Sequence, residues 1–257
     1  MTDALTIVPV YPELLGTYGD RGNVLALVHR AEARGLAVRV VEVGLDDPLP
    51  VLGDLYVLGG GEDSAQLLAA QRLFADPGAT RALGGAAPCF AVCAGLQLLA
   101  GTFEDAHGEY HRGLELLDVT CARLTQRAVG EIVTEAVDLP GVGQLSGFEN
   151  HRGTAELGPS ARPLGRVLTG VGNGDHRTEG VQEGNILATY LHGPALVRNP
   201  ALADLLLARA TGDPLPPYDH DAAERLHAQR VAAAVPHRRL RAVGSVPPRR
   251  GRRSGTP

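Results

Sequence analysis

The run Pro88-Cys89-Phe90-Ala91-Val92-Cys93-Ala94-Gly95-Leu96-Gln97 decides the fold. Its first half is a short apolar stretch that reads as a buried strand, and from Ala94 the pattern turns helical with no loop between. A strand that feeds straight into a helix belongs to a parallel sheet with crossover connections. Working outward, apolar runs at residues 5–10, 37–43 and 55–58 read as further buried strands of that sheet. Between them, Val24, Leu27, Val28 and Ala31 are spaced as one face of a helix over residues 23–34, with Gly35 as its stop. Residues 62–74 repeat the pattern. Strand alternating with helix predicts an α/β fold, a mostly parallel sheet with helices on both faces, whose ligands sit beyond the carboxyl ends of the strands.

After about residue 115 the helical rhythm fades. Residues 118–124, 129–137 and 185–190 read as more strands, predicted to complete the sheet by antiparallel addition. A helix is expected over 200–210, opened by Pro200. The prolines of 214–217 mark a linker, residues 221–234 a terminal helix, and the composition beyond His237 a disordered tail.

The 257 residues carry a formal charge of −5, but seven of the 24 arginines fall in residues 238–257, where there is no acid. There is no lysine, which excludes a phosphate-binding loop ending in Gly-Lys and a Schiff-base lysine. The tail reads as a solvated basic extension, so no nucleic-acid partner is expected. Three cysteines make no disulfide framework, and no apolar run approaches the roughly 18 residues of a membrane span, so a cytoplasmic protein is expected.

Cys93 stands where strand gives way to helix, the position of a nucleophile elbow. Its neighbours two residues away, Ala91 and Gly95, are small, as that strained turn requires, and the helix amides favour a thiolate. Taken singly, a buried cysteine is more often a packing residue. A base is offered by His192 in Tyr190-Leu191-His192-Gly193-Pro194, also at a strand end; by itself it is equally a surface-turn histidine. Two strand-end groups of one sheet converge on the same edge, which is what a Cys-His pair requires. A third strand end, Gly59-Gly60-Gly61, offers backbone amides for an oxyanion hole, for which Gly60 and Ala94 are the candidates. Losing one such donor costs about 3 kcal/mol of transition-state stabilisation.

These three motifs resemble the glutaminase domains of the cobyric acid synthase-like class I amidotransferases, with their flavodoxin-like fold. Tyr18-Gly19-Asp20-Arg21-Gly22-Asn23, Gly147-Phe148-Glu149-Asn150-His151-Arg152-Gly153 and the run from Leu191 to Pro200 are similar to the glutaminase subunits of lipid II isoglutaminyl synthases. The resemblance spans about residues 5–210. It implies an amidotransferase domain over 1–212, with 213–237 as linker and terminal helix and 238–257 as tail. It further implies that Cys93 attacks the carboxamide of L-glutamine, that His192 moves the protons, and that ammonia passes to a separate MurT-like, Mur-ligase-like subunit. That partner would use ATP to amidate the D-glutamate of the lipid II stem peptide.

Arg127 resembles the family arginine that holds the substrate's α-carboxylate; without the resemblance it reads as a solvated surface arginine. Gln97 either touches the substrate or caps a helix face. The wider class places a glutamate two residues after the histidine, where this chain has Pro194, so the group that orients His192 is left open. Residues 147–153 read as a structural turn or partner-facing loop rather than a metal site, and Cys89 with Cys93 lacks the ligand set zinc needs. No metal and no cofactor is expected. Two other functions stay open: a glutaminase subunit for another carboxylate, such as a corrinoid, and a non-catalytic partner-binding module.

Overall fold

The structure, a computed structural model, describes residues 4–17, 19–218 and 221–234; Tyr18 and the arginine-rich segment 238–257 lie outside the described residues. The first half of the chain runs β1 (Leu5–Pro9), α1 (Arg21–Glu32), β2 (Val38–Val40), β3 (Leu55–Leu58), α2 (Asp63–Ala75), α3 (Ala79–Leu83), β4 (Cys89–Val92) and α4 (Ala94–Leu99). Then come β5 (Thr102–Glu104), β6 (Tyr110–Arg112), β7 (Val119–Cys121), β8 (Arg123–Ala136), β9 (Gln144–Gly153), β10 (Glu156–Leu157), β11 (Gly165–Thr169) and β12 (Thr178–Glu179). The described residues close with β13 (Val181–Glu183), β14 (Ile186–Thr189), α5 (Ala195–Arg198), α6 (Pro200–Thr211) and α7 (Asp221–Ala234).

The central sheet has the order β13-β14-β4-β3-β1-β2, parallel except for β13. Every residue of β1, β3, β4 and β14 is buried, as strands covered on both faces must be. Alternate residues serve opposite cores. Val8, Tyr56, Leu58 and Ala91 pack with α2, α3 and α4, whereas Ile7, Leu55, Val57, Phe90 and Val92 pack with α1, α5 and α6. That is the α/β arrangement expected from the sequence, a mostly parallel sheet with helices on both faces.

Three expectations change. Residues 37–43 are expected to be buried, yet β2 is a three-residue strand at the edge of the sheet with Val40 exposed, because no strand among the described residues pairs with its outer side. Of the later strands only β13 and β14 join the central sheet, β14 parallel to β4 and β13 antiparallel at its edge; the others form two separate four-stranded sheets, β10-β7-β5-β6 and β12-β11-β8-β9. And residues 147–153 are not a turn or loop but the end of β9. Phe148 and His192 exchange both backbone hydrogen bonds at 3.0 Å, and Gly147 is required there because Leu191 lies 2.7 Å from where a Cβ would stand. Among the described residues no helix is long and apolar enough to cross a membrane.

Asn199, 2% exposed, fastens α6 to β9. Its Oδ1 accepts from the Ser146 amide at 2.8 Å, and its Nδ2 donates to the carbonyls of Ser146 and Ala195, both at 2.8 Å. Because Asn199→Ala strands these buried groups, it should lower unfolding stability by about 2–4 kcal/mol. Chemical denaturation would show this as a lower midpoint at unchanged m-value; an unchanged midpoint would show that the clamp is dispensable.

Candidate active site

β4 and β14 pair in parallel with Val92 opposite Thr189, and the pairing runs one step beyond the strands, where the Cys93 amide donates to the Thr189 carbonyl at 2.8 Å. Cys93 is thereby held at φ +52° and ψ −105°, a conformation that costs a non-glycine residue about 1–3 kcal/mol. Its surroundings enforce it. The next-but-one amide, Gly95, donates to the Gly59 carbonyl at 3.1 Å, and a Cβ on Gly95 would stand 2.8 Å from that of Leu58. This is the elbow expected from sequence. The other two cysteines are buried, and burial pushes each thiol up to about 12, leaving them inert packing groups.

His192 follows β14 by three residues, 2% exposed, its backbone fixed by Phe148. Its Nδ1 lies 3.3 Å from Oδ1 of Asp20. A carboxylate only accepts, so Nδ1 carries the proton and Nε2 is the atom left for chemistry. Burial disfavours the imidazolium, but hydrogen bonds and charge from Asp20 and Cys93 outweigh it and raise the His192 pKa to about 10. Asp20 is the orienting group that sequence reading left open. The signal was present, since Asp20 stands in the 18–23 motif, but nothing local tells that it reaches a histidine 172 residues away. It occupies the N-cap position of α1 without making a capping bond, its carboxylate being engaged elsewhere.

Part of that engagement bears on Gly60. The Gly60 amide donates to Oδ2 of Asp20 at 2.8 Å within the protein interior, so in this conformation Gly60 is not a free oxyanion donor. Gly60 also leaves room for its neighbours: a Cβ there would stand 3.0 Å from His192 Cε1 and Asp20 Oδ2 and 3.4 Å from Cys93 Cβ. Ala94 opens α4, where first-turn amides have no intrahelical acceptor.

Cys93 opens onto a cleft lined also by Gly61, Glu62, Asp63, Gln66, Gln97, Glu104, Arg123, Arg127 and residues 150–153. Arg127 sits in the stretch of β8 where the register with β9 shifts. Its Nε donates to Asn150 Oδ1 at 2.7 Å, and its Nη2 to the Asn150 carbonyl at 3.3 Å. Gln97 is pinned at the cleft floor: Oε1 accepts from Gln66 Nε2 at 3.0 Å, while Nε2 faces the Tyr190 hydroxyl at 3.5 Å. Arginines beside Glu62, Asp63 and Glu104 suit a small zwitterion such as an amino acid. The one group of metal-type side chains among the described residues, Asp105, Glu109 and His111, does not line this cleft, and Asp105 already accepts from two amides and faces His111 Nε2 at 2.8 Å.

Comparison with known proteins agrees with this geometry. Residues 6–200 match a family model described as a CobB/CobQ-like glutamine amidotransferase domain. The chain is 34% identical over 235 residues to the lipid II isoglutaminyl synthase (glutamine-hydrolyzing) subunit GatD of Staphylococcus aureus, covering 88% of this chain and 94% of that one. It is 35% identical over 210 residues to the protein of the same name in Streptococcus pneumoniae, covering 80% of each. A crystal structure of a glutamine amidotransferase superposes with a TM-score of 0.52 at 22% identity, covering 79% of this chain and 98% of that one, a likeness of fold.

The contacts made by His192 predict how it titrates. By nitrogen NMR its imidazole should stay protonated through neutrality, titrating toward about 10 rather than near its ordinary 6.5, and Asp20→Asn should bring the midpoint down. A midpoint that the substitution leaves in place would remove Asp20 from this role.

Proposed function

The chain belongs to the CobB/CobQ-like glutamine amidotransferase family, and on that premise we propose that it is the glutaminase subunit of a lipid II isoglutaminyl synthase. Cys93 is the nucleophile. Its thiolate attacks the carboxamide carbon of L-glutamine, the C–N bond breaks, and His192 gives its proton to the departing ammonia. Water activated by the same histidine then hydrolyses the glutamyl thioester to glutamate. Asp20 keeps His192 in the productive tautomer and stabilises its charge, so the working unit is a triad assembled from three distant segments. The observation that carries the reading is the strained Cys93 beside His192 and Asp20 at the head of a cleft with charged walls.

Arg127 holds the α-carboxylate of glutamine, and Gln97 shapes the cleft floor. Ala94 supplies one oxyanion amide, and Gly60 could join it only after releasing Asp20. That release is where a partner acts on the reaction: it needs a small population shift, since tenfold in rate corresponds to about 1.4 kcal/mol. The partner is a MurT-like subunit with the ATP and acceptor sites, and it amidates D-glutamate in lipid II. Residues 1–212 are then the amidotransferase unit, working in the cytoplasm, with 213–257 as its extension.

Cys93→Ala should abolish ammonia release from glutamine, while Cys89→Ala and Cys121→Ala keep most of it. Arg127→Ala should raise KM far more than it lowers kcat, because it removes binding common to ground and transition states. Ammonia release that survives Cys93→Ala would end the mechanism, and an unchanged KM would return Arg127 to the surface.

Activity of the purified chain should also increase on adding the MurT-like subunit, and amidation of lipid II should require both. If the chain by itself consumed ATP and amidated an acceptor, the two-subunit reading would fall. If the pair amidated a different carboxylate, such as a corrinoid, the glutaminase chemistry would stand with another acceptor.

A further inference from the structure

Glu179 is completely buried and no step of the reaction uses it. It ends β12 in the second sheet, and Gly180, at φ +62°, then turns the chain into β13 of the central sheet. A Cβ on Gly180 would lie 2.5 Å from the Ala188 carbonyl, so only glycine lets this crossing lie flat against β14. Asn173 braces it, its Oδ1 accepting from the Gly180 amide at 2.8 Å and its Nδ2 donating to the Gly180 carbonyl at 3.0 Å. The carboxylate of Glu179 is thus delivered beneath the end of β14. There Oε1 accepts from the Thr189 hydroxyl at 2.7 Å and from the Tyr190 amide at 2.8 Å.

Those two residues join the reacting groups. The Thr189 carbonyl receives the Cys93 amide at 2.8 Å, the Thr189 hydroxyl accepts from the Leu191 amide at 3.0 Å, and His192 is the next residue. We propose that Glu179 is a positioning residue for the glutamine hydrolysis described above: from the neighbouring sheet, its carboxylate holds the end of β14 so that His192 and Cys93 meet.

The site looks built for this task rather than for packing. Burying a carboxylate is costly, and a residue that only filled space would do better as an apolar side chain. Here Oε1 takes two donors while Oε2 has no partner among the described residues. The titratable group facing Glu179 is Glu149 on β9, which accepts from the Val171 and Gly172 amides, and beyond it His151 Nε2 lies 3.7 Å from Glu149 Oε1. Burial raises the Glu179 pKa to about 7, helped by the Glu149 charge and opposed by the bonds from Thr189 and Tyr190. Below that pH the carboxyl is neutral and holds its two donors less firmly. The native state also binds this proton more tightly than the unfolded chain, whose carboxyl titrates near 4.5. Stability from this group is therefore present in acid and lost as pH rises through about 7. Alignment of Cys93 with His192 and stability of the fold respond to pH in opposite directions.

The inference rests on Cys93 and His192 as the reacting pair, so Cys93→Ala is the control. Glutamine hydrolysis should be followed between pH 5.5 and 8.5 in the full chain, with thermal melts alongside. Glu179→Ala should lower kcat by about tenfold or more, since a misplaced reacting group is costly, and leave KM within about twofold, since neither residue it bonds, Thr189 or Tyr190, lines the cleft. Glu179→Gln keeps an acceptor but not the charge. It should fall between wild type and Glu179→Ala, lack the rise in kcat through pH 7, and lack the accompanying fall in melting temperature. Thr189→Val, which keeps the carboxylate and removes one of its donors, should also lower kcat without raising KM, so the test survives if Glu179→Ala does not fold. Wild-type kcat in a folded Glu179 variant, or an undiminished rise near pH 7 in Glu179→Gln, would overturn the proposal while Cys93→Ala remained dead. Ammonia release by Cys93→Ala would instead bring down the reaction on which it rests.

Discussion

The parallel pairing of β4 with β14 is the constraint on which the site depends. It sets Val92 against Thr189 and carries on through the Cys93 amide, so the residue that leaves one strand and the histidine that follows the other emerge side by side. A one-residue slip would send every side chain of β14 to the opposite face, exchanging the cores served by Leu187 and Ala188. Burial on both faces prevents that slip. The same rigidity lets Cys93 keep a backbone conformation that a free chain would abandon, because Thr189 holds its amide and Gly59 holds that of Gly95.

Around that pairing the protein spends buried carboxylates where a sheet edge would otherwise be loose. Asp20 reaches from the start of α1 to the Gly60 amide and His192, binding three chain segments through one side chain. Gly22 lets α1 come close enough, since a Cβ there would stand 2.3 Å from Pro194. On the other side Glu149 and Glu179 occupy backbone donors that a turn or strand end leaves exposed. Each is a strong acceptor for more than one N–H or O–H, which offsets part of its desolvation.

The two oxygens of Asp20 are both engaged at the site. Asp20 faces His192 with Oδ1 and accepts from the Gly60 amide with Oδ2, so one carboxylate ties the histidine and the glycine loop together in the conformation seen.

By itself the sequence determined the things that follow from local pattern. Continuous apolar runs specified the buried parallel strands, the 3.6-residue spacing of Val24, Leu27 and Ala31 specified α1, and small residues flanking Cys93 specified the elbow, because each depends on neighbours within a few residues. Cys93 and His192 were legible as a pair since both end strands of the same sheet. Tertiary structure alone decided what depends on long-range approach. Nothing near Asp20 announces His192, nothing near Glu179 announces Thr189, and the Gly60 amide seemed free until the segment carrying Asp20 folded over it. The 147–153 segment reads locally as a turn or loop, yet it is strand, where Gly147 admits Leu191 and Gly153 admits Gln97 and Tyr190. Steric need between distant segments leaves only a glycine in the sequence, and the same letter also marks a turn.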